Sequence, residues 1–225
     1  VAKFPRFPFD KFQSVPNVLG TQMKATGEVM GIGSTLEECL LKSVRSLEIG
    51  AQHLWLPKFQ NMTKAELTEY LRQFRDDGLF AVAQLLRLGA SVDEGAALTM
   101  ITPFFLETIR GIVNMEQTLC THKGDGETLK QAKQMGFCDP YIARLWGVRE
   151  EDVYAQRVQL GLYPAYKMVD TSHTGAYIPY FYSTYAPGAK SEARRSDKKK
   201  VVVLGAGPIR IGQGVEFDYS TVHAV

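Results

Sequence analysis

The sequence predicts a mainly α fold: a helical domain flanked by short extended segments, with the start of an α/β unit at the C-terminal end. Three observations support this class. Apolar residues recur every three or four positions between residues 34 and 160, the spacing of amphipathic helices. Serine or threonine stands three residues before glutamate at the start of several of these runs, as in helix capping boxes. After residue 200, an apolar tetrapeptide leads into a glycine-rich turn, a pattern typical of a buried parallel strand followed by a helix.

The individual helices are predicted from their start and stop signals. Gly50 is expected to stop the first helix, and Gly89 to end an apolar helix over residues 80–88. Pro103 is expected in the first turn of a long helix, where no hydrogen bond is lost by its missing N–H. The apolar stripes are predicted to form the core, with part left over for a partner surface. The predicted capping boxes are Ser34 with Glu37, Thr63 with Glu66 and Ser91 with Glu94, and shorter helices are predicted around residues 129–135, 141–145 and 150–160.

The segments outside the helices are predicted to be extended. Residues 1–12 contain two prolines and therefore predict an edge strand or an irregular run, and residues 27–33 predict a second short strand. Residues 162–185 are rich in tyrosine, which is interpreted as packing of a connector onto neighbouring domains rather than as stacking on nucleobases. Residues 186–200 predict a solvated linker; the alternative for its basic cluster is a nucleic-acid patch.

Composition argues against several classes of protein. A formal net charge of +2 over 225 residues does not favour broad binding of nucleic acid. No apolar run is long enough to span a bilayer, and a secretory signal and an initial methionine are absent, which predicts a piece of a longer cytoplasmic protein. The cysteines Cys39, Cys120 and Cys138 are expected to be reduced thiols. The four histidines lack metal-ligand spacing and are expected to be structural or on the surface.

The glycine-rich turn is a poor match to a dinucleotide site. The fingerprint requires the spacing G-x-G-x-x-G, but the glycines here stand at 205, 207 and 212. Pro208 also removes a backbone N–H that a pyrophosphate would use. A free-standing nucleotide-binding domain therefore stays as an alternative function, beside a bare helical adaptor, which would have no need of the segment after residue 200.

Longer strings of residues resemble one enzyme family. The string LGAGPIRIGQGVEFDY at 204–219 resembles the loop that opens each synthetase half of the carbamoyl-phosphate synthetase large subunit. The strings KFPRF at 3–7 and MKATGEVMGIG at 23–33 resemble the end of its first ATP-grasp half. Shorter strings resemble its helical connecting, or oligomerisation, domain; they stand at 90–93, 136–139, 147–150, 166–171 and 182–185. Thr102-Pro103-Phe104 departs from the Arg-Trp-Phe expected there.

The resemblance implies a domain organisation and a role. It implies an ATP-dependent ligase that makes carbamoyl phosphate, for pyrimidine or arginine biosynthesis, from bicarbonate, ammonia and two ATP. Its expected partners are the remaining domains of the same subunit, a small glutamine-hydrolysing subunit and further copies of the helical domain. ATP and Mg or Mn belong to the full-length enzyme; for this chain we expect no cofactor, metal ligand, catalytic residue or activity of its own. The implied segments are the end of the first ATP-grasp half (1–33), the helical domain (34–185), a linker (186–200) and the start of the second pre-ATP-grasp, Rossmann-like domain (201–225).

The resemblance also implies a wall of the internal tunnel through which unstable intermediates pass. A guanidinium at Arg210 would hold a carboxylate-like carbamate, and Glu216 would keep that cation oriented. Gly214 would leave room that any side chain would fill. The alternative is that Arg210 and Glu216 tie the glycine loop to the following helix. The residues expected in this tunnel loop are Gly205, Gly207, Arg210, Gly212, Gln213, Gly214 and Glu216.

Overall fold

The computed structural model describes residues 1–9, 11–12, 14–170, 174–203 and 223. Within these residues, eight α-helices form the body and two antiparallel pairs of strands flank it, so the prediction of a mainly α fold is confirmed. The helices are α1 (Leu36–Ser46), α2 (Lys64–Leu71), α3 (Gly78–Arg87), α4 (Val92–Thr99), α5 (Pro103–Thr121), α6 (Gly126–Gln134), α7 (Asp139–Trp146) and α8 (Glu150–Gln159), with a 3-10 turn at Pro57–Phe59. The strands are β1 (Ala2–Arg6), β2 (Gly27–Gly31), β3 (Ala165–Met168) and β4 (Phe181–Thr184).

Most helix ends lie where local chemistry predicts them. The capping boxes that begin α2 and α4 are both present, each with reciprocal hydrogen bonds between the cap residue and the glutamate three positions on. Pro103 occupies the first turn of α5. Gly89 adopts φ +83 after α3, and its N–H donates to the carbonyl of Leu86, which closes the end of that helix. These four predictions are confirmed.

The predicted start of α1 is wrong by one residue. Thr35, not Ser34, caps the helix, and its hydroxyl accepts the N–H of Glu38 at 3.2 Å. Both Ser34 with Glu37 and Thr35 with Glu38 fit the capping pattern in sequence. Burial of Glu38 and its contacts with distant residues select the second frame. The helix also ends at Ser46, before Gly50, because Glu48 takes the left-handed conformation with φ 53.

Helix α5 is the centre of the core. It packs against five other helices, which are α1, α3, α4, α6 and α7. This arrangement confirms that the apolar stripes form the core. Its buried apolar side chains are Leu106, Ile109, Ile112, Val113 and Leu119.

The extended segments pair as two hairpin-like sheets on the helical body. Strand β1 pairs with β2 in the register Ala2↔Gly31 to Arg6↔Gly27, and α1 packs against both strands. Strand β3 pairs with β4 from Ala165↔Thr184 onward. The extended character of both regions is confirmed. Residues 201–203 have no regular structure, and the rest of the predicted α/β start lies outside the described residues, apart from the exposed His223.

Candidate functional site

The residues predicted for the tunnel loop do not fall in the described part of the chain. Gly205, Gly207, Arg210, Gly212, Gln213, Gly214 and Glu216 all lie outside it, so their role stays a prediction. The described residues present a different candidate: a polar junction on α1 at which the N-terminal and C-terminal extended segments meet. We define this α1 junction by Ser34, Glu38, Lys42, Ser183 and Thr184.

Glu38 is the centre of the α1 junction. It is 1% exposed, although it is a carboxylate. One of its oxygens accepts hydrogen bonds from the N–H of Ser34 at 2.8 Å, the hydroxyl of Ser34 at 3.0 Å and the hydroxyl of Thr184 at 3.0 Å. Burying a carboxylate costs free energy unless its oxygens accept hydrogen bonds, and these three donors meet that requirement. Glu38 therefore joins the segment before α1 to Thr184, which lies 146 residues beyond Glu38 in sequence.

Lys42, one turn further along α1, repeats the connection. Its ammonium pairs with Glu38 at 2.9 Å and donates to the carbonyl of Ile32 at 2.7 Å and to the carbonyl of Ser183. The ammonium also lies over the ring of Tyr182, 5.4 Å from its centroid. The three donors of one lysine are thus shared among the helix, the segment after β2 and strand β4.

Close backbone approach around the first turn of α1 requires glycine. A Cβ on Gly31 would collide with the carbonyl oxygen of Cys39, and one on Gly136 would lie 2.8 Å from Cα of Glu38. Gly136 also has φ +91, which L side chains rarely adopt. The β1–β2 sheet and the loop before α7 can therefore approach α1 only because these side chains are absent.

A second ionic cluster holds the tyrosine-rich segment, residues 162–185, against the helical body. Asp139 pairs with Lys133 at 2.7 Å and with Arg157 at 3.0 Å, and all three side chains are nearly buried. The ring of Tyr185 covers both cations, at 4.9 Å from the ammonium of Lys133 and 5.7 Å from the guanidinium of Arg157. Burial lowers the pKa of Lys133, and the nearby Asp139 opposes that change. Tyr185 packs on the helical body itself, whereas Tyr163 and other tyrosines before it are exposed, so the predicted packing of this segment onto neighbouring domains stays a prediction.

The space between these two clusters is a cavity of about 250 Å³. Its cationic walls are Lys42, Arg45 and Lys133. Each of these cations is already engaged within the protein, with Arg45 donating to the carbonyl of Gly136 at 2.9 Å. The arrangement can hold chain segments together, but it offers no unused cation to an anionic ligand.

A buried network in the core was not predicted from the sequence. His53 is 1% exposed, and its Nε2 lies 2.8 Å from a carboxylate oxygen of Glu116. The same carboxylate receives two hydrogen bonds from Arg87, at 2.6 and 2.7 Å, and one from Tyr141 at 3.3 Å. Burial acts to raise the pKa of Glu116, but the donors from Arg87 and His53 outweigh it and hold that pKa below its ordinary value. His53 is therefore structural. The sequence pattern did not indicate Glu116 as its partner, because the contact joins a loop to a distant position in α5.

We expect His53 to make stability fall as the pH falls. Burial lowers the pKa of its imidazole, and the contact with Glu116 offsets this only in part. The unfolded chain then binds the proton more tightly, so stability is lost as the pH drops below about 6.5, the unfolded value. Between pH 7.5 and 5.5, protonation of His53 should lower the free energy of unfolding by up to about 1.4 kcal/mol.

The measurement is urea unfolding of the wild type and of His53→Gln at both pH values. The glutamine variant should lose less stability than the wild type between pH 7.5 and 5.5, with His122→Gln, an exposed histidine, as the matched control. An equal pH-dependent loss in the wild type and His53→Gln would contradict the assignment.

The described residues also bear on metal binding and membrane insertion. No group of three or more histidine, cysteine or acidic side chains there could hold a metal ion. In the same part of the chain, every helix is too short or too polar to cross a membrane.

Within the described residues, two extended segments meet on one helix of a helical body. A family model described as carbamoyl-phosphate synthetase large chain, oligomerisation domain, matches residues 28–161, more than half of the chain. The chain therefore belongs to the carbamoyl-phosphate synthetase large-chain family. A second model, described as carbamoyl phosphate synthase preATP-grasp domain, matches residues 197–225. These matches confirm the family predicted from the sequence strings.

Proposed function

We propose that this chain joins the two synthetase halves of a carbamoyl-phosphate synthetase large chain and provides contacts between copies. The observation that supports it best is the α1 junction. Glu38 and Lys42 together bind residues on both sides of the helical body, Ser34 before it and Thr184 after it. Such a junction fixes the direction in which the two flanking segments leave the domain, which is what a connector between two catalytic units requires.

The parent protein in this proposal is an ATP-dependent ligase of the cytoplasm. It would use glutamine-derived ammonia, bicarbonate and two ATP, with Mg or Mn held by residues outside this chain. The free thiols of Cys39, Cys120 and Cys138 are consistent with a reducing compartment. The chain by itself is proposed to be inactive, and bicarbonate-dependent ATP hydrolysis by the purified chain should stay at background. Turnover above background would contradict this.

The tunnel role of the C-terminal loop is part of the same proposal. The match of a preATP-grasp model to residues 197–225 supports it, because the glycine loop would then open the second synthetase half. Arg210 would hold the passing carbamate, Glu216 would orient that guanidinium, and Gly214 would leave the passage open.

The contact between copies is proposed at the start of α5. Met100, Phe104 and Phe105 are 76%, 64% and 49% exposed, and the two phenylalanine rings meet edge to face at 5.3 Å. Adjacent exposed aromatic side chains are typical of an interaction surface. A second copy is the proposed occupant, since the matching model describes an oligomerisation domain and a two-fold contact places the same patch on both partners.

Replacing Phe104 by aspartate should weaken this association by about a hundredfold or more, because a charge buried without a partner costs on the order of 3–5 kcal/mol. Sedimentation velocity over a range of concentrations would measure it. Tyr163→Asp, at a site 60% exposed on the connector, is the matched control and should associate like the wild type. A wild-type chain that stays monomeric at every concentration would contradict self-association, and an unaffected Phe104→Asp would exclude this patch.

A further inference from the structure

A small cavity lies between the loop that follows α1 and the first turns of α7. Its volume is about 310 Å³, at the lower end of the range of roughly 300–1,000 Å³ for small-molecule sites. Aromatic and aliphatic side chains make most of its wall. The lining includes His53, Trp55, Leu56, Pro140, Tyr141 and Arg144.

Among the residues that line this cavity, Arg144 is the one lysine or arginine. Its guanidinium carbon lies 3.3 Å from the ring centroid of Trp55 and 6.0 Å from that of Tyr141. Within the described ranges, Arg144 has no carboxylate at ion-pair distance, unlike Arg87 and Arg157, which bind Glu116 and Asp139. Arg144 is exposed, and a guanidinium stacked on an indole keeps its N–H edge accessible, so Arg144 presents a planar pair of donors beside Trp55.

The remaining walls favour an apolar body over a second charge. None of the residues that line the cavity is acidic. Burial lowers the pKa of His53, so its imidazole is neutral near pH 7, and its ring stacks on Tyr141 at 4.0 Å between centroids. Both ring nitrogens of His53 are buried, so this ring closes the back of the cavity and offers its wall no exposed polar atom. The cavity therefore combines one cation with mainly apolar surfaces.

The loop that carries Trp55 is held in place by hydrogen bonds to its backbone. Arg87 donates to the carbonyl of Leu54 at 2.6 Å, and the N–H of Trp55 donates to the carbonyl of His53 at 2.7 Å. Leu54 itself is fully buried. A wall that is already ordered loses little conformational entropy when a ligand binds.

We propose that this cavity binds a small monocarboxylate with a planar apolar body, its carboxylate paired side by side with the guanidinium of Arg144. The planar fork of arginine matches the two oxygens of a carboxylate, and the aromatic walls match the body. A phosphate, which carries more charge and has no apolar part, would require a second cation that the lining does not contain. This site is independent of the connecting role proposed above.

Titration of the 225-residue chain with benzoate tests the proposal. The NMR signals of its two indole N–H groups, those of Trp55 and Trp146, monitor the titration. Trp146 is the internal reference, because it is buried and its indole N–H donates to the carbonyl of Leu119 at 2.9 Å. We expect a saturable shift of the Trp55 signal with a dissociation constant in the millimolar range and no shift of Trp146. Benzamide, which has the same ring without the charge, should bind at least about tenfold more weakly, since hydrogen bonds to charged groups are the stronger ones.

Two variants of Arg144 separate charge from geometry. Arg144→Leu should weaken benzoate binding by about tenfold or more, and Arg144→Lys by less, because lysine keeps the charge but lacks the planar fork. Arg149→Leu, which removes an exposed arginine that pairs with Asp152, should bind benzoate like the wild type. An unchanged Trp146 signal shows that each variant is folded.

Three outcomes would overturn the proposal. They are an unsaturated or absent Trp55 shift, equal affinity for benzoate and benzamide, and unchanged affinity in Arg144→Leu. Inorganic phosphate that binds as well as benzoate would overturn the ligand class.

Discussion

Replacing Glu116 by alanine is expected to destabilise the helical domain by about 3–5 kcal/mol, the cost of leaving buried charge unpaired. The carboxylate is 6% exposed and is the shared partner of Arg87 and His53. Without it, the guanidinium of Arg87 keeps, among the described residues, the carbonyl of Leu54 and the amide oxygen of Gln84 as acceptors. Urea unfolding at pH 7.5, followed by circular dichroism, measures the loss.

Glu107→Ala is the matched control on the same helix. Its carboxylate is 50% exposed and pairs with Arg110, so its removal should cost no more than about 1 kcal/mol. Similar losses in the two variants would show that the Glu116 network contributes no more than a surface pair and would contradict the prediction.

Replacing Glu38 by alanine is expected to lower the free energy of unfolding by about 2–4 kcal/mol and to release residues 162–185 from α1. Its carboxylate receives three hydrogen bonds and the ammonium of Lys42, and hydrogen bonds to charged groups contribute roughly 1.5–3 kcal/mol each before relaxation. Lys42 would keep the carbonyls of Ile32 and Ser183, which limits the loss. Hydrogen exchange should speed up most in β3 and β4, and least in α5.

Glu37→Ala controls for the loss of a negative charge near the start of α1. Its side chain is only partly buried, and we expect a change within about 0.5 kcal/mol, as at most surface positions. If Glu38→Ala changes hydrogen exchange equally in β4 and α5, the junction is an ordinary part of the core and not a separate link to the connector.

The family and most helix boundaries could be predicted because their signals lie within a few residues of one another. The capping boxes at Thr63 and Ser91 join groups three positions apart, and the first-turn position of Pro103 depends on its own ring. The string at 204–219 resembles the family by residue identity alone, and the match over residues 28–161 shows that the chain belongs to it. At α1, two overlapping capping patterns were possible, and the pattern did not distinguish Ser34 from Thr35.

The sequence by itself determined the mainly α class, the positions of the helices and the carbamoyl-phosphate synthetase family. Only the tertiary structure decided which polar side chains meet. Glu38 contacts Thr184, 146 residues away in sequence, His53 contacts Glu116, and Arg144 lies over the ring of Trp55. Helix signals depend on local hydrogen bonds, whereas these contacts depend on which helix faces pack together, a choice made by burial of apolar surface throughout the core.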